Sequence, residues 1–211
     1  MDVILTLDAA LAGCSVGLVS GGRVIAERGD AQGQAQALPL LARAVLEALP
    51  APSALAVTVG PGSFTGLRAS LALAHGIALG RGLPILGVTV GEAIAAGLVP
   101  EQKNLWVAVD TRRGRVFLDR GGAIESFDLA ALPLPDGPVA VAGDAADAVA
   151  ASLRARGADV RTLEARAPTP LGIARAARRR LEQGLPPRPA QPLYIDAPEA
   201  RPGPRGRPAP A

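Results

Sequence analysis

The sequence has few of the residues that metal and nucleophilic chemistry most often use. Of 211 residues, one is cysteine (Cys14) and one is histidine (His75). A single cysteine excludes an intramolecular disulfide and a cysteine-built zinc site, and a single histidine excludes a paired-histidine metal centre within this chain. His75 stands among Ala and Leu in a helical stretch and belongs to no Ser/His/Asp pattern, so it reads as a core or interface histidine. Five aromatic residues in total give no platform for stacking RNA bases. Lys103 is the single lysine. The formal charge of +3 comes from Arg201, Arg205 and Arg207 in an acid-free C-terminal stretch; without them nineteen bases face nineteen acids, so no basic face follows from the high isoelectric point. The longest uncharged stretch, 48–67, holds three prolines and three glycines, which excludes a spanning helix there. The opening MDVILTLDAA has no basic start and its apolar run ends at Asp8, so a secretory signal is not expected and a cytoplasmic location is.

An apolar content of 49% over this length suffices for one large domain or two lobes, with roughly 70% of the unfolded surface buried. Residues 3–7, 14–19 and 23–28 read as three strands, the last two joined at Gly21-Gly22. Leu38, Leu41, Val45 and Leu49 mark one face of a helix starting near Pro39. The runs 55–59 and 84–90 read as doubly covered strands, each followed by a helix, over 67–81 and from Gly91. Beyond Pro100 the order repeats: strands at 105–109, 115–119, 123–127 and 138–143, then helices over 144–156 and 169–183. The expected class is therefore α/β with mixed sheets, divided into an N-terminal lobe (1–100), a C-terminal lobe (101–185) and a Pro/Arg-rich tail (186–211). Nine of the last 26 residues are proline, which makes the tail extended, with Tyr194 as the large anchor by which it packs back.

The most informative segment is Gly60-Pro61-Gly62-Ser63-Phe64-Thr65-Gly66, between a buried strand and a helix. Ser63 or Thr65 can cap that helix, and its first amides attract anions. Two readings stand: a tight structural turn, or an anion or ligand loop built by Gly60, Gly62, Ser63 and Thr65. Neither the Walker nor the dinucleotide spacing is met. Asp8 and Asp110 each close a strand; they read as turn-capping acids, or as a carboxylate pair across a cleft.

The string ALAVTVGPGSFTGLRASLALAHGIALGRGLPILGVTVGEAIA (54–95) resembles the signature region of the TsaB family. Matches along most of the chain accompany it: ILTLDAALAGCSVGLV at 4–19, LPLLARAVLEAL at 38–49, VAVDTRRGRVF at 107–117 and PLYIDAPE at 192–199. The resemblance implies an actin- and sugar-kinase-like fold of two ribonuclease-H-like lobes. It also implies a dimerisation subunit of the bacterial machinery that makes threonylcarbamoyladenosine at position 37 of tRNA. That family is a paralogue of the catalytic subunit TsaD, which uses a metal held by paired histidines and a bound nucleotide. This sequence departs from that equipment. No histidine precedes the helix entered through Gln34-Ala35-Gln36, Ala9-Ala10-Leu11 follow Asp8 where kinases of this fold carry glycine and hydroxyls, and Arg115 stands where a glutamate is common.

The expectation is thus a subunit with no catalytic residues, no metal and no cofactor on the isolated chain, with room for a nucleotide at the interface of a complex. Its implied partners are a TsaD-like catalytic subunit, a TsaE-like ATPase, and a second copy of itself in isolation; tRNA is met only through the complex, and no membrane is involved. The surface expected to do the work combines Leu38, Leu41 and Val45 with Arg68, Leu71, Ala72, His75 and Leu79 in a four-helix contact, since helix 67–81 is apolar or small on two sides. The alternative is an ATP-dependent enzyme of the sugar-kinase-like fold. A bare RNA-binding module is a third reading, which would show salt-sensitive tRNA binding.

Overall fold

A computed structural model describes residues 3–30, 35–47 and 51–195. The first five strands are β1 (Val3–Asp8), β2 (Cys14–Ser20), β3 (Arg23–Asp30), β4 (Ala54–Gly60) and β5 (Ile85–Thr89). They form one sheet in the order β3-β2-β1-β4-β5. β1 pairs antiparallel with β2 and parallel with β4. The turn between β2 and β3 has Gly21 and Gly22 at φ 54° and 75°, the left-handed pair that a two-residue hairpin favours.

A second sheet repeats the plan. β6 (Leu105–Asp110), β7 (Arg115–Asp119), β8 (Ile124–Asp128), β9 (Val139–Ala142) and β10 (Val160–Thr162) lie in the order β10-β9-β6-β7-β8. Read from the hairpin edge, both sheets are antiparallel, antiparallel, parallel, parallel. β10 is absent from the sequence reading because it is three residues long and Arg161 in its centre is exposed.

Strand alternation explains the layers. Leu5, Leu7, Val16, Leu18, Leu55 and Val57 face α1 (Leu38–Glu47) and α2 (Phe64–Arg81). Ile4, Val19, Ala56, Leu86 and Val88 face α3 (Val90–Gly97) and α5 (Pro170–Glu182). Helix α5 lies in sequence beyond the second sheet, and the sequence reading groups it there. In the structure it covers the first sheet, starting on a Thr169 cap that accepts from Gly172 N at 3.1 Å. Gly17 of β2 makes room for it, since a side-chain carbon there would overlap Pro170.

The second sheet has α4 (Ala146–Ala155) on one face, with Val149, Ala150 and Leu153 against Ala108, Val116 and Leu118. Its other face meets the first lobe directly: Val107, Val109 and Ala142 share one apolar cluster with Ala10, Leu67, Val90 and Ile94. No helix among the described residues is long and apolar enough to cross a membrane.

Candidate functional site

The loop that launches α2 is built from close backbone approaches. Ser63 N donates to Ala10 O at 2.7 Å, and a Cβ on Gly62 would overlap that same oxygen. A Cβ on Gly66 would overlap Ala9 O. Ser63 caps the helix, accepting from Gly66 N at 3.2 Å. Of the four loop residues expected to hold a ligand, Gly62 and Ser63 therefore serve the turn, Gly60 ends β4 at φ 117°, and Thr65 is exposed on the first turn of the helix.

Asp8 lies beneath this loop, 4% exposed. Its Oδ1 accepts from Thr58 Oγ1 at 2.5 Å and from Ala10 N at 3.1 Å. Burial raises its pKa to about 6, against the opposing pull of the Thr58 and Ala10 hydrogen bonds. Ala10 is fully buried, and Leu11 packs with Leu67, Val107 and Val109. Apolar side chains thus fill the place beside the first hairpin. Asp110 serves its own turn, accepting from Arg112 N at 2.7 Å, while its own N donates to Asp144 Oδ1 at 2.9 Å. Among the described residues no group of three His, Cys, Asp or Glu could hold a metal ion.

The expected interface residues divide. Leu38, Val45 and Leu71 are buried in the core of the first lobe, and Leu41 packs half-buried against it. They are covered by their own chain, which corrects their placement on a partner surface. Leu49 and Gln34 lie outside the described residues. Arg68, Ala72, His75 and Leu79 are exposed along one side of α2, opposite buried Leu67, Ala74 and Ala78. Leu79 is 87% and Phe64 58% exposed, and Leu40 on α1 is 72% exposed. The Arg68 guanidinium stacks on the Phe64 ring at 3.7 Å from its centroid, and its Nη2 donates to Tyr194 Oη at 3.3 Å. This face carries large apolar side chains beside Ala72, Gly76 and Gly80, and Arg68 is its one charged residue before Arg81.

A second feature escapes the sequence reading. A cavity of about 580 Å³ lies between α3, the β7–β8 turn, α5 and residues 185–195. On its wall Glu92 receives Arg188 Nη2 at 2.9 Å and Arg180 Nη1 at 3.5 Å. Glu92 also completes a capping box with Thr89, at 2.8 and 3.0 Å. Burial opposes the Glu92 charge, but the Arg188 and Thr89 hydrogen bonds outweigh it and hold its pKa below the ordinary glutamate value. Across the cavity, Asp119 has its pKa raised by burial and accepts from the amides of Gly121 and Gly122. The Thr-x-x-Glu pattern at 89–92 is the sequence signal that could have pointed to Glu92.

Two lobes of repeated topology, with helices on both faces of the first sheet, define the actin- and sugar-kinase-like class. The model of the family "TsaD: tRNA N6-adenosine threonylcarbamoyltransferase" matches residues 30–181. The chain belongs to this family, and the relatives it matches include several curated TsaB proteins. It is 35% identical over 121 residues to the tRNA threonylcarbamoyladenosine biosynthesis protein TsaB of Escherichia coli K12, covering 54% of this chain and 52% of that one. The chain spans about half the length of the curated TsaB relatives it matches. In fold it resembles YeaZ from Pseudomonas aeruginosa, with TM-score 0.75, 23% identity, and coverage of 92% of this chain and 100% of that one. An inorganic polyphosphate/ATP-glucomannokinase from Arthrobacter matches with TM-score 0.50 at 15% identity, covering 87% and 100%.

Proposed function

We propose that the chain is a non-catalytic subunit in the biosynthesis of threonylcarbamoyladenosine at position 37 of tRNA, scaffolding a TsaD-like catalytic subunit through the exposed face of α2. The observation that carries this reading is that face: Phe64 and Leu79 stand largely in solvent beside the small residues Ala72, Gly76 and Gly80. Burying one such large side chain contributes about 1.5–3 kcal/mol, and small neighbours let a facing helix come close. A second copy of the chain uses the same face when the catalytic subunit is absent, and a TsaE-like ATPase joins the assembled pair. The apolar filling beside Asp8 supports a role without phosphate chemistry of its own. The E. coli relative's name supplies the pathway.

Reconstitution tests the reading. The chain is mixed with a TsaD-like subunit, a TsaE-like ATPase and tRNA, and modified adenosine is quantified. Dependence on this chain, lost on Ala72→Glu, is the expected result. Magnesium-dependent ATP turnover by the isolated chain would instead favour an enzyme of the sugar-kinase-like fold.

A further inference from the structure

Gly87 stands in the middle of β5 between Leu86 and Val88, and it is not among the glycines with positive φ. The need for glycine there is spatial: a Cβ would stand 2.5 Å from Pro189 O and 3.1 Å from Arg188 O. Residues 185–195 cross this point as a strap. Gly87 N donates to Arg188 O at 2.9 Å, and Leu193 N to Val59 O at 2.8 Å, so the strap covers the outer side of edge strand β5 and the end of β4.

The strap reaches two places at once. At the inter-lobe cavity, Arg188 Nη2 meets Glu92 at 2.9 Å, and Leu185 and Leu193 form part of the wall. At α2, His75 Nε2 donates to Ala190 O at 2.7 Å and Arg68 donates to Tyr194 Oη. Arg188 and Ala190 are two residues apart, so the anchors lie within about 7 Å of chain. Apolar burial on the strap is slight. Ala190 is its one buried residue and Leu193 packs half-buried against the first core, while Leu185 and Tyr194 are 44% and 59% exposed. Arg188 Nε is buried with no hydrogen-bond partner among the described residues, a cost of the docked position. A segment held by a few polar contacts is drawn from the low-stability end of a fold.

We infer that the strap 185–195 is a two-state coupling element between the exposed face of α2 and the inter-lobe cavity. Docked, it holds His75 and narrows the cavity; released, it frees both together. A ligand or partner that engages either end shifts the same equilibrium, and the effect is reciprocal. The coupling is a property of the single chain; its use by a partner rests on the reading of α2 as the contact surface.

His75 is the sole histidine of the chain and therefore a unique reporter. The full chain is compared with Arg188→Ala, which cuts the cavity end, and with His75→Ala, which cuts the helix end. The imidazole carbon-bound proton signals and amide hydrogen exchange are read by NMR. Arg188→Ala is expected to shift the His75 signals and to speed exchange at Gly87 and Leu193 at least tenfold, leaving β1 and β4 protection unchanged. His75→Ala is expected to speed the same two amides. Gly87→Val, which expels the strap from beneath, should move His75 to the position seen in Arg188→Ala. If it loses β1 and β4 protection and so fails to fold, the other two variants decide. His75 signals and Gly87 exchange unchanged in Arg188→Ala would overturn the proposal, as would an effect in one direction only. Coupled shifts in a chain that never associates would leave the strap coupling standing and sink the partner reading instead.

Discussion

Ser63 N lies 2.7 Å from Ala10 O, and Gly62 beside it has no room for a side chain against the same oxygen. The glycine-rich entry to α2 is thus used for backbone-to-backbone contact with the first hairpin, and it fixes the helix whose outer face stays largely exposed, met by the strap at Arg68 and His75. In a kinase-like fold the same neighbourhood would need flexible glycine and hydroxyls; here Ala9, Ala10 and Leu11 occupy it.

The first prediction separates packing from propensity on α2. Alanine is favoured over glycine inside a helix by about 1 kcal/mol. At Gly66 the Ala9 carbonyl forbids it, so Gly66→Ala should destabilise the chain by about 1–3 kcal/mol, which lowers Tm by several degrees. At Gly76 an added methyl would meet nothing within 4 Å beyond the helix's own neighbouring backbone, so Gly76→Ala should raise Tm slightly. Yet Gly76→Ala should weaken association, because the added methyl holds a facing helix away. Thermal melts and sedimentation of the two variants check both halves.

Asp8 gives a pH dependence with a definite sign. Its folded pKa, about 6, lies above that of an unfolded aspartate, so the native state binds the extra proton between about pH 4 and 6. Stability therefore falls as pH rises through that window and is level above it, with an ionisation cost of about 3 kcal/mol. Asp8→Asn removes this titration while keeping an oxygen for Thr58 and Ala10 to donate to. The difference in Tm between the two proteins, measured from pH 4 to 8, should swing toward the variant as pH rises; a constant difference would refute the assignment. Comparing the pair cancels the opposite trend expected from Glu92, whose stabilising charge is lost as pH falls through its depressed pKa.

Asp8→Asn and Asp110→Asn should each keep reconstituted tRNA modification within about threefold of wild type, a barrier change under about 1 kcal/mol. Both carboxylates are committed to turns of their own chain. A loss of two or more orders of magnitude in either variant would place chemistry in this subunit.

Much of this was legible in the sequence, for identifiable reasons. β1, β4 and β6 are buried on both sides and so appear as unbroken apolar runs such as LAVTV, while Gly21-Gly22 announces its hairpin. The division of α2 into a stripe with Leu67 and Ala74 and a stripe with Ala72 and Leu79 follows from helical period alone. Period does not say what covers a stripe, which is why Leu38, Val45 and Leu71 look like partner surface and prove to be core. Nor does it say which sheet a helix joins, and α5 crosses back to the first.

The strap is the instructive miss. Proline-rich composition reads as an extended tail packing back through Tyr194, because proline lacks an N–H for ladder bonds, but residues 188 and 190 use their carbonyls, which a proline-rich segment keeps in full. Tyr194, expected as the anchor, is more than half exposed, and Ala190 and Leu193 make the packing contacts. Gly87 inside an otherwise β-branched and apolar strand was the available clue. The expectation for 196–211, including Arg201, Arg205 and Arg207, lies outside the described residues.

The central claim is that the outer face of α2 holds a partner, and Ala72→Glu tests it most directly. Ala72 is exposed in the single chain and Arg68 lies one turn before it, so the fold should tolerate the carboxylate, with unchanged circular dichroism and Tm within a degree or two. In a helix–helix seam the same carboxylate is buried without a partner and costs several kcal/mol. Sedimentation of the variant alone and with a TsaD-like subunit should show a monomer that binds at least a hundredfold more weakly than wild type. A folded Ala72→Glu chain that still associates with wild-type affinity would contradict the account.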